Sequence, residues 1–120
     1  MNIVDLIRDY RQGQRNFSSE HLSGVTNIPL PLDLSGADFS NSVVTSDSVF
    51  RGTKFTGCDF NGADLDSVTF MDCDFTDCNL SFSSLVDTQF INCNLSGTVL
   101  DPEAEVPPLR LRHPFTIENA

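Results

Sequence analysis

The 120-residue sequence has no tryptophan, one tyrosine and two histidines, yet it contains ten phenylalanines. It also lacks any run of 18 apolar residues, which excludes a helix able to cross a membrane. The amino terminus, MNIVDLIRDYRQG, has no charged segment leading into an apolar one, so no secretory signal is expected and the cytoplasm is the expected location. Thiols stay reduced there, and the four cysteines call for a role other than disulfide bonding. Positive charge is scarce where the chain is longest: from Asp47 to Asp101 nine aspartates face only Arg51 and Lys54, with no glutamate. The other arginines, Arg8, Arg11, Arg15, Arg110 and Arg112, sit towards the two ends. A net charge of −10 and a pI near 4.2 disfavour attraction to phosphate backbones, so direct nucleic-acid binding is not expected. Two readings of the acidic body stand side by side: it keeps a stackable protein soluble, or it docks something basic.

Sites for chemistry are missing as well. No GxSxG, no phosphate-cradling glycine loop and no Ser/His/Asp set occurs. The cysteines Cys58, Cys73, Cys78 and Cys93 are spaced 15, 5 and 15 apart, without the CxxC pairing of a zinc site, and His21 and His113 lie far from them. Asp59, Asn61, Asp64 and Asp66 are placed like part of a calcium loop, but Ala63 stands where the fifth-position acid belongs and Phe70 where the final glutamate does. No catalytic, cofactor-binding or metal-ligating residues are expected, and the chain reads as a non-enzyme with no cofactor. At 39% hydrophobic residues it is still above the disordered range, and its length suits one domain.

What is present is a period of five. Stepping from Phe50 gives Phe55, Phe60, Leu65, Phe70, Phe75, Leu80, Leu85, Phe90, Leu95 and Leu100, eleven consecutive Phe or Leu in all. Two positions earlier stand Ser48, Thr53, Cys58, Ala63, Val68, Cys73, Cys78, Ser83, Thr88, Cys93 and Thr98, all small. The residue just before the Phe or Leu is often Asp or Asn, as at Asp59, Asp64, Asp74, Asn79 and Asn94. Five matches neither the 3.6 of a helix nor the 2 of a long strand. It fits a chain that turns a corner every five residues, sending one large and one small side chain inward, two apart on the same side of a short strand. Coils of this kind stack at about 4.7–4.9 Å, the spacing of neighbouring strands. The cysteines all fall in the small inward position and read as buried core thiols.

The segments GADFS (36–40), GCDFN (57–61), GADLD (62–66), DCDFT (72–76), DCNLS (77–81) and NCNLS (92–96) resemble the A(D/N)LxG unit of pentapeptide-repeat proteins. That resemblance, close over about residues 34–101, implies an all-β fold: a right-handed quadrilateral β-helix with four pentapeptides, or twenty residues, per coil. Columns such as Phe50–Phe70–Phe90 and Phe55–Phe75–Leu95 would follow, with Cys58 next to Cys78 and Cys73 next to Cys93. Aspartates would stack on Asn79, Ser84, Asn92, Asn94 and Gly97 rather than on one another, and Lys54 on Asp74. Like charges directly opposite destabilise paired strands, so this is the pattern a twenty-residue stack needs.

Val44 to Phe50 is six residues, which predicts a bulge near Thr45–Val49 and puts Asp38 over Asp59. Phe17 and Leu22 read as two degenerate repeats, and Gly24–Asp33, with Pro29 and Pro31, as an irregular connection. The predicted division is residues 1–13 as an N-terminal capping helix, 14–101 as the repeat β-helix and 102–120 as a Pro-rich tail. The repeat is regular from 34 and in continuous register over 48–101. In the helix Asn2 is the cap, Ile3, Leu6, Ile7 and Tyr10 share a face, and Gly13 ends it. The tail is expected to seal the last coil or fold along a face. IRDYRQGQRNF resembles the segment preceding the repeats in cyanobacterial members of the family.

Outward positions break the polar pattern at Met71, Phe82, Val86 and Ile91. These four are the candidate partner-binding residues, with covering by the apolar tail as the alternative. The expected function is a protein-interaction or regulatory module, monomeric, binding a protein partner through a solenoid face. Some pentapeptide-repeat proteins inhibit DNA gyrase by resembling duplex DNA in shape and charge; the resemblance makes such a DNA mimic the second expectation.

Overall fold

A computed structural model describes residues 1–25, 32–100 and the backbone of 115–118. The expected Pro29/Pro31 connection and most of the Pro-rich tail lie outside the described residues. Helix α1 (Ile3–Arg11) opens the chain, followed by short strands β1 (His21–Leu22), β2 (Val43–Val44), β3 (Val49–Arg51), β4 (Thr69–Met71), β5 (Asn79–Leu80), β6 (Thr88–Ile91), β7 (Val99–Leu100) and β8 (Phe115–Glu118). All strand pairs are parallel, and they form three sheets ordered β1–β2, β3–β4–β6–β8 and β5–β7. Phe50 pairs with Phe70 and Phe70 with Phe90, so one coil takes twenty residues; Asn79 with Val99 and Leu80 with Leu100 repeat the same step. The chain is a β-helix solenoid.

The corners explain why five residues suffice. At most of them the amide three residues after a core side chain donates to that residue's carbonyl, as from Cys58 to Phe55 (3.0 Å) and Cys78 to Phe75 (3.0 Å), while the corners after Phe50, Phe70 and Phe90 are open bends. Such a tight turn needs a positive φ at its third position. Gly57 (69°) and Gly62 (71°) supply it, but so do Asp72 (56°), Asp77 (59°), Asp87 (58°) and Asn92 (55°), types that tolerate the left-handed region. At Gly62 and Gly97 a Cβ would also run into the side-chain oxygens of Asn41 and Asp77 in the coil below. The Asp or Asn before each core residue has a turn of its own to hold: Asp59 Oδ1 accepts from the Asn61 amide (2.8 Å), Asp74 from Thr76 (2.9 Å), Asn79 from Ser81 (2.9 Å) and Asn94 from Ser96 (3.0 Å). That the residue is Asp or Asn therefore follows from turn chemistry as much as from facing solvent.

The interior is a lattice of rings. Within columns they lie nearly parallel, as in Phe50–Phe70 (5.4 Å, 10°), Phe70–Phe90 (5.3 Å, 13°), Phe39–Phe60 (5.1 Å, 14°) and Phe17–Phe39 (5.6 Å, 18°). Between columns they meet edge to face, as in Phe70–Phe75 (4.9 Å, 88°) and Phe75–Phe90 (5.3 Å, 78°). Both geometries suit the quadrupole of an aromatic ring. Of the eleven lattice residues, Phe50 to Phe90 are buried, while Leu95 and Leu100 are only half-buried because they belong to the last described coil.

The predicted bulge is one extra residue, Thr45. The turn bond that elsewhere reaches the core residue's carbonyl is taken here by Thr45, which accepts from the Ser48 amide (3.2 Å). Thr45 itself extends the strand, its amide and hydroxyl both donating to the Leu22 carbonyl (3.0 and 2.8 Å). The coil below consequently runs at an offset of 21, with Asp38 bridged to Asp59 and Asp33 to Lys54, before the step settles at 20. Phe17 and Leu22 are buried, as degenerate repeats should be.

Helix α1 starts at Asn2, whose side chain accepts from the Asp5 amide (2.9 Å), and gives way at Gly13, where φ is 101°. Ile3 and Leu6 are buried in the same core as the rings, with Ile7 and Tyr10 half-buried against it. The Tyr10 hydroxyl donates to the Ser35 carbonyl (2.8 Å), and the Arg15 guanidinium lies 3.6 Å above the Tyr10 ring. At the other end β8 returns to pair with β6, setting Phe90 beside Ile117 and Ile91 beside Glu118. The sheet that starts at β3 therefore runs one strand beyond β6.

Candidate interaction surface

The four apolar residues picked out at outward positions fall into two groups. Met71 and Ile91 are direct neighbours in the β4–β6 ladder, both half-buried, in a row that begins at Arg51 and ends at Glu118 of β8. They form a stripe between charged residues, not an open patch. Phe82 and Val86 stand in the turns before and after Leu85, and they are far more exposed, at 70% and 48%.

Phe82 differs in a second way. It occupies the left-handed corner position with φ 60°, where the other corners from 52 to 97 carry Gly, Asp, Asn or Ser. A bulky side chain is rare in this region because its Cβ crowds the following carbonyl. Directly below it in the stack, one coil earlier, is Gly62. Its aromatic ring gains no core burial in return for that backbone cost. The turn bearing Val86 is fixed from below, since the Asp66 carboxylate accepts from both the Val86 amide (2.9 Å) and the Ser84 hydroxyl (2.5 Å). Sequence reading overlooked Val99, 54% exposed and stacked on Asn79; its place just before Leu100, where Asp or Asn is usual, was the available signal. It also overlooked Val4, exposed on α1.

Charge is organised by column. Lys54 stands between Asp33 and Asp74 in the ladder, with Asn94 above. Hydrogen bonds from Ser35 and Thr76 hold the Asp33 and Asp74 carboxyls below the ordinary carboxylate range, with Lys54 adding to the effect. Among the described residues no group of His, Cys, Asp and Glu is arranged to hold a metal ion, and no helix is long and apolar enough to cross a membrane. A groove of about 270 Å³ beside α1 is lined by Ile7, Tyr10, Arg11, Leu32, Asp33 and Leu34.

A solenoid of parallel strands turned every five residues, with stacked Phe and Leu inside, defines a class of repeat protein that presents faces. A family profile described as Pentapeptide repeats matches with 8 copies, over residues 33–72, 46–81 and 73–101. The chain belongs to that family. Among solved structures it is similar to alr5209, a pentapeptide repeat protein from Nostoc PCC 7120, at 24% identity and TM-score 0.65, covering 98% of this chain and 96% of that one. It is also similar at lower TM-scores to HetL, a pentapeptide repeat protein of the same cyanobacterium involved in heterocyst differentiation regulation (26% identity, 0.31, 82% of this chain and 46% of that one). A third is QnrB1, a plasmid-mediated fluoroquinolone resistance protein (20%, 0.47, 69% and 43%). Comparison with curated proteins found no match.

Proposed function

We propose that this chain is a non-catalytic interaction or regulatory module of cyanobacterial type that binds a protein partner through an outer face of the solenoid. In this reading the β-helix is right-handed and four-sided, residues 1–13 are its capping helix, 14–101 form the repeat body, and 102–120 are a Pro-rich tail that seals the last coil or covers a face. The protein acts as a monomer in the cytoplasm. The binding surface centres on Phe82 and Val86, with Met71 and Ile91 as a second, flanking contact.

The observation that carries the proposal is Phe82: an exposed aromatic ring held in a left-handed corner conformation. Strained, exposed residues with no packing role are characteristic of recognition sites, where aromatic side chains act as anchors. The test is affinity capture from cyanobacterial lysate with the intact chain, Phe82→Gly/Val86→Ser and Met71→Asp/Ile91→Asp. A partner held by the intact chain and released by the Phe82/Val86 variant supports the reading. Equal capture by the intact chain and both variants removes it.

The acidic body favours a second reading, that of a DNA mimic inhibiting DNA gyrase or another nucleic-acid-binding protein. Against this, Asp38 over Asp59 is the one carboxylate bridged to a carboxylate among the described residues, and the other bridges made by Asp are to Asn, Ser, Val43 or Lys54. A supercoiling assay unaffected by micromolar protein eliminates the mimic.

A further inference from the structure

The four cysteines occur as two vertical pairs: Cys58 beneath Cys78, and Cys73 beneath Cys93. Pairing in each case is in register, because the residue after each lower cysteine bridges the residue after the upper one, Asp59 with Asn79 and Asp74 with Asn94. The Asn94 amide also donates to the Cys73 carbonyl (3.0 Å). Neighbouring strands are about 4.7–4.9 Å apart, inside the 4.4–6.8 Å range of Cα separations that a disulfide spans. Core filling alone does not demand a thiol there. Thr88 and Thr98 occupy equivalent positions, and each hydroxyl donates to the carbonyl 23 residues back (2.8 Å), the bond that Cys93 makes to Phe70 (3.3 Å).

We propose that Cys73 and Cys93 are a peroxide-oxidisable dithiol, closing to a disulfide that ties two successive coils of the solenoid together. Cys93 is the attacking thiol. At 8% exposure it is the most accessible of the four, and its two hydrogen bonds are long, to Phe70 (3.3 Å) and Ile91 (3.5 Å). The neighbouring Cys73 thiol holds the Cys93 thiol below its ordinary pKa, while the same pairing and burial push Cys73 up. The oxidant is hydrogen peroxide. Cys93 thiolate attacks a peroxide oxygen, the O–O bond breaks, and Cys93 sulfenic acid and hydroxide result. Cys73 sulfur then attacks the Cys93 sulfur, the S–O bond breaks, and the departing hydroxide takes the Cys73 proton as water. Two thiols are oxidised and one peroxide is reduced to two waters. Cys58 and Cys78 are left out. Both are 1% exposed, and their thiols are bonded more closely, to Leu34 (3.0 Å) and Phe55 (2.6 Å).

The experiment treats the reduced full chain with hydrogen peroxide, denatures it, alkylates free thiols and maps the peptides by mass spectrometry. The expected result is that two of the four thiols escape alkylation, a Cys73–Cys93 cross-link appears, and dithiothreitol reverses it. In Cys93→Ser all three remaining thiols should alkylate after the same treatment. Because Ser and Thr already serve at equivalent positions, that variant should keep its fold, checked by circular dichroism; Cys73→Thr, matching Thr53 one coil below, is the alternative. Four alkylated thiols in the intact chain, a Cys58–Cys78 link, a link between chains, or Cys93 sulfinic acid beside free Cys73 would each overturn the proposal.

Discussion

Single residues in this solenoid are judged by where they stand in a five-residue unit, and the same side chain has opposite consequences at different steps. Phe70 sits mid-column with stacked neighbours below and above and edge contacts to Phe55 and Phe75. Phe70→Ala is therefore expected to cost ~3–5 kcal/mol, read as a large fall in the thermal midpoint. Phe82 stands two residues after the lattice position of Leu80 and belongs to the left-handed corner, with its ring in solvent. Phe82→Gly removes the clash that a Cβ makes there and is expected to raise stability by about 1 kcal/mol while weakening partner capture. A thermal midpoint that falls on this change would show that the ring packs on something after all. Cys, Ser and Thr at the small inward step are near equivalents for packing: Cys93 and Thr88 donate to a carbonyl of the coil beneath, and Ser42 donates to the Phe39 carbonyl of its own turn. What separates cysteine is its redox chemistry.

At the scale of the element, a strand here is only two to four residues, too short to be stable by itself, and each is held by its turns and by the coils on either side. The Asp side chains belong to this level because they build the turns. Asp33 and Asp74 have carboxyls held below the ordinary range, first by Ser35 and Thr76 and then by Lys54 between them. A depressed carboxylate pKa contributes stability that is complete above the unfolded value, near 4, and is lost as pH falls through the folded value. Asn94 already performs the same turn role one coil above Asp74, so Asp74→Asn should fold normally. Its expected signature is a smaller loss of denaturation midpoint between pH 7 and pH 2 than the parent shows. An unchanged loss would place the acid sensitivity elsewhere. Helix α1 is likewise an element defined by its neighbours: nine residues would be marginal alone, and burial of Ile3 and Leu6 on the first coil supplies the support.

Over the whole molecule, stability is expected to be graded along the axis, because each coil touches only the coils next to it. Amide exchange should be slowest for the interior amides of Phe55 and Phe60, which bond to Asp74 and Asn79, and faster for amides such as Phe75 that bond to the last described coil, where Leu95 and Leu100 are half-buried. Uniform protection from Phe17 to Leu100 would instead show one all-or-none unit. Much of this architecture was legible in the residues: the period, the inward Phe and Leu, the small partner two before and the six-residue step follow from spacing, and Asp38 over Asp59 from the twenty-residue coil that the family resemblance implies. They do so because a repeating unit can bury its large side chains in only one register. The candidate surface was legible only in part. Sequence marked Met71, Phe82, Val86 and Ile91 as apolar residues at outward steps, but the ladder and the turns divided them into a half-buried stripe and an exposed pair. Tertiary structure also decided that Thr45 is the extra residue, that β8 lies beside β6, and that Phe82 bears a positive φ. Periodicity reports which way a side chain points; how far it is covered, and at what backbone cost, depends on the neighbouring coils and turns that only the folded chain brings into contact.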